Sequence, residues 1–160
     1  MDVSIEPVNR ETLPLLDDGL RALARHMDDP FSATLDGLDA ALFSDRPSCH
    51  ALVARRKGAQ KPLGIALYSP VFSTVRGGAG IYVSDLWVDD VARGRNLGRR
   101  LVAEVVRHGS DIWGAGFLRL AAYNDNHDAL AAYARMGFER VEGEIPLRLA
   151  GSAFERIAAM

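Results

Sequence analysis

Between Arg93 and Arg100 the chain reads Arg-Gly-Arg-Asn-Leu-Gly-Arg-Arg, and residues of these types in this spacing suit an anion. Gly94 and Gly98 permit close approach to the backbone, and Asn96 is the non-glycine residue that best tolerates a left-handed conformation. The apolar residues Leu97, Leu101, Val102, Val105, Val106 and Ile112 follow a helical period. The segment therefore lies at a helix N-terminus, where unpartnered N–H groups and the macrodipole favour negative charge. Arg93, Arg95, Arg99 and Arg100 add positive charge, and a pyrophosphate is the natural occupant. No Gly-Lys-Ser/Thr follows and Gly-x-Gly-x-x-Gly is absent, which excludes a nucleotide-hydrolase phosphate loop and the dinucleotide fingerprint. Taken alone, the turn also fits a Gly-rich connection with solvated arginines.

Three other places hold residues able to do chemistry. Asp85, in the run Ile81 to Val88, can bind a cation or act as a base through water, or it can be a paired structural carboxylate. Asn124-Asp125-Asn126 reads as a helix N-cap cluster, and Tyr133 sits within the helix that follows. Cys49 begins the apolar run to Ala54 and reads as core. His26, His50, His108 and His127 are scattered, read as surface residues and receive no role; nothing has metal-ligand spacing, so no metal is expected.

The elements that must position these residues are legible in the hydrophobic pattern. Residues 2–8 alternate and suggest an edge strand with Pro7 near its end. Leu13, Leu16, Leu20, Leu23 and Met27 predict a helix over 11–27, with Pro14 in its first turn. A second helix is expected over 33–43 with Ser32 as N-cap. Runs 49–55 and 63–72 predict a hairpin. The Gly-rich break 76–80 precedes the central strand, Ile81 to Val88. After it come the helix from Leu97, closed by Gly114 and Gly116, a strand Phe117 to Tyr123, a helix from Asp128 to Met136 ending at Gly137, and strands Phe138 to Val141 and Pro146 to Ala150. The order describes one mixed α/β structure.

With 160 residues, 48% apolar and 25% charged, the chain has the composition of a single globular domain spanning 1–160. A net charge of -2 with both signs interspersed gives no general attraction to nucleic acid or to an anionic membrane. One cysteine excludes an intramolecular disulfide. The first residues lack a basic and apolar leader pattern, and no apolar run would span a bilayer. A cytoplasmic location is the expectation.

Two motifs resemble those of the Gcn5-related N-acetyltransferases (GNAT). Arg93 to Gly98 is similar to that family's Arg/Gln-x-x-Gly-x-Gly/Ala signature, with Asn96 at the central glycine. Asn126 to Phe138 resembles Asn-x-x-Ala-x-x-Leu-Tyr-x-x-x-Gly-Phe, with Ala132 in place of Leu. The resemblance covers residues 2–150. It implies an α/β acyl-CoA N-acyltransferase fold, with a mostly antiparallel central sheet, helices on both faces and a splayed pair of central strands.

It further implies acetyl-CoA as cosubstrate and an amine as acceptor. The pantetheine arm would lie along Leu86 and Val88, with Asn126 hydrogen-bonding it, and the nucleotide end would sit over Arg93, Gly94, Arg95, Asn96, Leu97, Gly98 and Arg99. Tyr133 would protonate the leaving sulfur, and a backbone N–H near Leu86 or Trp87 would stabilise the oxyanion. The pattern is most similar to the diamine and thialysine branch, which has a glutamate where Ser84 stands before Asp85. That resemblance and the apolar tail Ile145 to Ile157 point to a homodimer. The acceptor is expected to be a small-molecule amine; a peptide or protein amine, and a non-catalytic acyl-CoA sensor, are the alternatives.

Overall fold

The alternation of Val3 and Ile5 is realised in strand β1 (Val3–Pro7), and the expected hairpin in β2 (His50–Arg56) and β3 (Pro62–Ser73). The computed structural model describes residues 2–160, in two compact units: one ends at Ala122, the other runs from Tyr123 to Met160. In the first unit, β4 (Gly78–Val88) and β5 (Leu118–Leu120) complete a five-stranded sheet of order β1-β2-β3-β4-β5. The first three pairings are antiparallel and β4–β5 is parallel. β1 is an edge strand, as expected, where Pro7 removes no interior ladder bond.

Helices cover both faces. α1 (Leu13–Met27) sets Leu13, Leu16 and Leu20 against Val53, Ile65 and Trp87. On the other face, α3 (Leu97–Trp113) sets Leu97, Leu101 and Val105 against Leu52, Ala66 and Val83. Leu16, Ile65, Leu101 and Val105 are fully buried, each contributing about 1.5–3 kcal/mol by leaving water. Gly19 allows the approach of α1, since a Cβ there would stand 2.6 Å from Ile65 Cγ2.

Two boundaries differ from expectation. α2 spans Leu35–Phe43 and is capped by Thr34, not Ser32: Thr34 Oγ1 accepts from Gly37 N at 3.0 Å, the bond an N-cap oxygen makes to the third helical N–H. The strand expected over 117–123 is confined to Leu118–Leu120, because β5 pairs with β4 only from Ile81 to Val83. α3 ends as expected at Gly114, which takes φ 63.

The second unit contains α4 (His127–Met136), ended by Gly137 at φ 94, and a helix α5 (Gly151–Ala158) that the sequence reading did not anticipate. The strands expected over 138–141 and 146–150 do not form. Gly143 at φ 79 breaks the extension, Pro146 lacks an N–H, and the side chains of Ile145 and Leu147 are exposed, so no buried face fixes a register.

Candidate active site

β4 carries a β-bulge. Leu67 lies opposite Asp85 and Tyr68 opposite Val83, so Ser84 is the extra residue, and its hydroxyl donates to Leu67 O at 3.2 Å. The bulge shifts the side-chain alternation by one. Ile81 and Val83 pack on the α3 face before it, and Leu86 and Val88 do so after it, while Trp87 joins the α1 face.

The backbone shifts with the side chains. Asp89 N donates to Leu63 O at 2.9 Å; in the antiparallel register with β3, residues 87 and 85 then also direct their N–H and C=O groups toward β3. Leu86 and Val88 direct theirs the other way. On that side β5 pairs only with Ile81 to Val83, so β4 and β5 part where the bulge begins. Leu86 and Val88 thus face an open strand edge, on which an extended ligand can add hydrogen bonds as a further strand does.

Asp85 alternates with Trp87 and so belongs to the α1 face of β4. Burial raises its carboxyl pKa, and the nearby Ser84 hydroxyl offsets part of the shift. Its charge also acts on Cys49, whose thiol is raised chiefly by burial. A half-buried carboxylate of raised pKa can take a proton or attract a cation.

Beyond β4, Asp89 Oδ1 accepts from Val91 N and starts a single 3-10 turn, Asp90–Ala92, anchored by buried Ala92. The Arg93 guanidinium pairs with Asp90 at 2.8 Å and donates to Val88 O at 3.3 Å, bracing the turn. Asn96 takes φ 59, the left-handed conformation expected of it, and Gly94 takes φ 71, also left-handed. The first intrahelical N–H bond of α3 runs from Arg100 to Asn96 O, so the N–H groups of Leu97, Gly98 and Arg99 form the open end of the helix. The Leu97 side chain is core; only its backbone can serve a ligand. A Cβ on Gly98 would meet only Val88 Cγ2, at 3.6 Å, which shows the proximity of the turn to the end of β4.

The four arginines divide. Arg93 is engaged as above, and Arg100 donates to Val3 O at 2.8 Å. Arg95 and Arg99 are exposed, with no ion pair or hydrogen bond among the described residues. An anion at the turn would find these two guanidinium groups uncommitted.

In the second unit, Asn126 caps α4, its Oδ1 accepting from Ala129 N at 3.2 Å. Tyr133, two turns later on α4, is half-buried; its ring stands 5.4 Å from that of Phe138, and burial raises its phenol pKa. At neutral pH that phenol is a proton donor.

Sequence reasoning missed the bulge at Ser84, although the slip from Ile81 and Val83 to Leu86 and Val88 was its signal. It also misplaced two histidines. His50 and His108 are half-buried and lie in a ring cluster with Tyr68 and Trp113, formed where the β2–β3 hairpin meets the distant α3.

Among the described residues, no helix is long and apolar enough to cross a membrane. Over 59 residues the chain is 41% identical to the uncharacterized protein ML0378 of Mycobacterium leprae (strain TN), a match over 37% of this chain and 15% of that protein. The chain thus spans only a small part of the length of the curated relative it matches. An integron cassette protein from the mobile metagenome of V. cholerae superimposes with TM-score 0.78 and 22% identity over 100% of this chain and 99% of that one. A ribosomal-protein-alanine N-acetyltransferase from Brucella melitensis biovar Abortus 2308 gives 0.71 and 20% over 91% and 99%. An aminoglycoside N-acetyltransferase in complex with CoA gives 0.74 and 20% over 91% and 93%. These three share the fold. The family model of the GNAT acetyltransferases matches residues 20–138, most of the chain, and the chain belongs to that family.

Proposed function

We propose that the protein moves the acetyl group of acetyl-CoA to a primary amine of a small metabolite, diamine-like or amino acid-like, by direct attack of the amine on the thioester. The observation that carries this reading is the open β4 edge at Leu86 and Val88, whose end at Val88 lies beside Gly98 in the first turn of α3. An extended arm ending in a pyrophosphate matches that sequence of groups.

Acetyl-CoA supplies an activated acetyl group and a thiolate leaving group. The N–H groups of Leu97, Gly98 and Arg99, with the Arg95 and Arg99 side chains, bind the pyrophosphate; Gly94, Asn96 and Arg93 hold the turn in shape. Val88 hydrogen-bonds the arm, assisted by Asn126 beside its capping role. The Leu86 N–H, which faces the open edge, polarises the thioester oxygen in preference to Trp87, whose N–H faces β3. Asp85 attracts the cationic acceptor and takes its proton through water, and Tyr133 delivers a proton to the sulfur.

Asp85 on the α1 face favours a small cation over a peptide. A cytoplasmic protein without a metal suits this chemistry. We place it near the diamine and thialysine branch, as a single 1–160 domain. A homodimer through Ile145, Leu147, Leu149, Phe154 and Ile157 accounts for their exposure; sedimentation velocity tests it. For the activity, acetyl-CoA is offered with diamines, amino acids and peptides, and CoA thiol release is followed. Release with small amines supports the proposal. Release with peptides alone moves the acceptor to proteins, and binding without release makes the protein a sensor.

A further inference from the structure

The contact between the C-terminal half of α3 and the sheet is made by rings of unusual composition. His50 opens β2, Tyr68 lies beside it on β3, and His108 and Trp113 come from α3. The His50 and His108 ring centroids are 5.4 Å apart, and Trp113 stands 5.1 Å from His50 and 5.8 Å from His108. Tyr68 is 1% exposed, and its hydroxyl lies 2.9 Å from His108 Nδ1.

The proton in that bond has one satisfactory place. Burial keeps the Tyr68 phenol protonated far above neutral pH, and no other acceptor for its O–H is found among the described residues. The hydroxyl finds an acceptor here only by donating to an Nδ1 that carries no proton. A proton arriving on His50 meets the same apolar surroundings, and a charge on His108 opposes it.

We propose that His50, held among the rings of Tyr68, His108 and Trp113, is an acid-sensitive latch between the C-terminal half of α3 and the β2–β3 face, closed while its ring is neutral and opened by a proton on it.

The other charges near the pair neither bridge nor neutralise it. On α3, Glu104 stands one turn before His108 and is taken by Arg107, and Asp111, one turn after, is exposed. Just before β2, Cys49 is adjacent to His50, and its thiol feels the charge of Asp85 of β4. Farther along β2, Arg55 is paired with Glu6 of β1. β3 contributes Tyr68 alone.

The sign follows from His50. Burial and His108 lower its pKa in the folded protein below the ordinary value of 6.5, so its contribution to stability is present above that value and is lost as pH falls below it. The test is NMR titration of the histidine ring protons in the wild type and His108→Gln, with thermal unfolding of the wild type and His50→Phe at pH 7.5 and 5.0. The latch predicts a His50 midpoint below that of an unfolded histidine, which rises in His108→Gln. It also predicts a wild-type Tm that falls by at least about 2 °C more than that of His50→Phe between the two pH values. A His50 midpoint at or above that of unfolded histidine, or parallel losses of Tm, would overturn it. If either variant does not fold, the wild-type His50 midpoint decides alone.

Discussion

A Cβ built on Gly98 would stand 3.6 Å from Cγ2 of Val88 and meet nothing else within 4 Å among the described residues. The protein's own packing therefore does not demand a glycine there. Gly98 lies in the first turn of α3, where alanine is the better helix former, so Gly98→Ala should fold with unchanged stability or gain up to about 1 kcal/mol. Chemical denaturation measures this. A substantial loss would mean that the glycine serves the fold and not a ligand.

The arginines of the turn should separate by role. Replacing Arg95 and Arg99 with alanine should weaken acetyl-CoA binding at least about tenfold, because charge-assisted bonds contribute about 1.5–3 kcal/mol each, while leaving Tm unchanged. Arg100→Ala removes the bond to Val3 O and should lower Tm. Titration and thermal unfolding on the same samples distinguish the two patterns.

Tyr133→Phe should retain acetyl-CoA affinity and lose about 10²–10⁴ in kcat, the usual contribution of a positioned proton donor. The raised phenol pKa predicts a wild-type alkaline limb above the ordinary tyrosine value of about 10. Full activity in the variant removes Tyr133 from the chemistry.

The burial that raises the Asp85 pKa implies a charged group held at some cost to the fold. Above its folded pKa the ionised form is the disfavoured one, so Asp85→Asn should raise Tm at pH 7, and the gain should shrink as pH falls toward that pKa. The same variant should raise KM for a cationic amine more than for acetyl-CoA. Unchanged kinetics with both substrates would leave Asp85 a structural residue.

Much of this was legible in the sequence, for identifiable reasons. Asn96 announced its left-handed backbone through residue type alone, and the α3 stripe from Leu97 to Val105 set the helix behind it. What escaped depended on partners. Whether Ser32 or Thr34 caps α2 turns on where the first helical residue falls, and both residue types qualify. The alternation of Ile145, Leu147 and Leu149 suits a strand, but a pattern cannot show that a neighbouring strand exists to receive it. Phe154 and Ile157 at helical spacing were the only sign of α5. His50 and His108 meet because β2 and α3 pack on one face, a contact no local spacing records. The face that Asp85 takes is not legible from strand alternation, because the bulge at Ser84 decides it.

The central claim is that acetyl-CoA binds along β4 with its pyrophosphate at the turn before α3. Calorimetric titration of the wild type and Gly98→Trp with acetyl-CoA tests it directly, since the indole fills the space over the open N–H groups. Saturable binding by the wild type that is lost in a folded Gly98→Trp is the predicted result; a well-folded wild type that does not bind, or a variant that binds equally well, would contradict it.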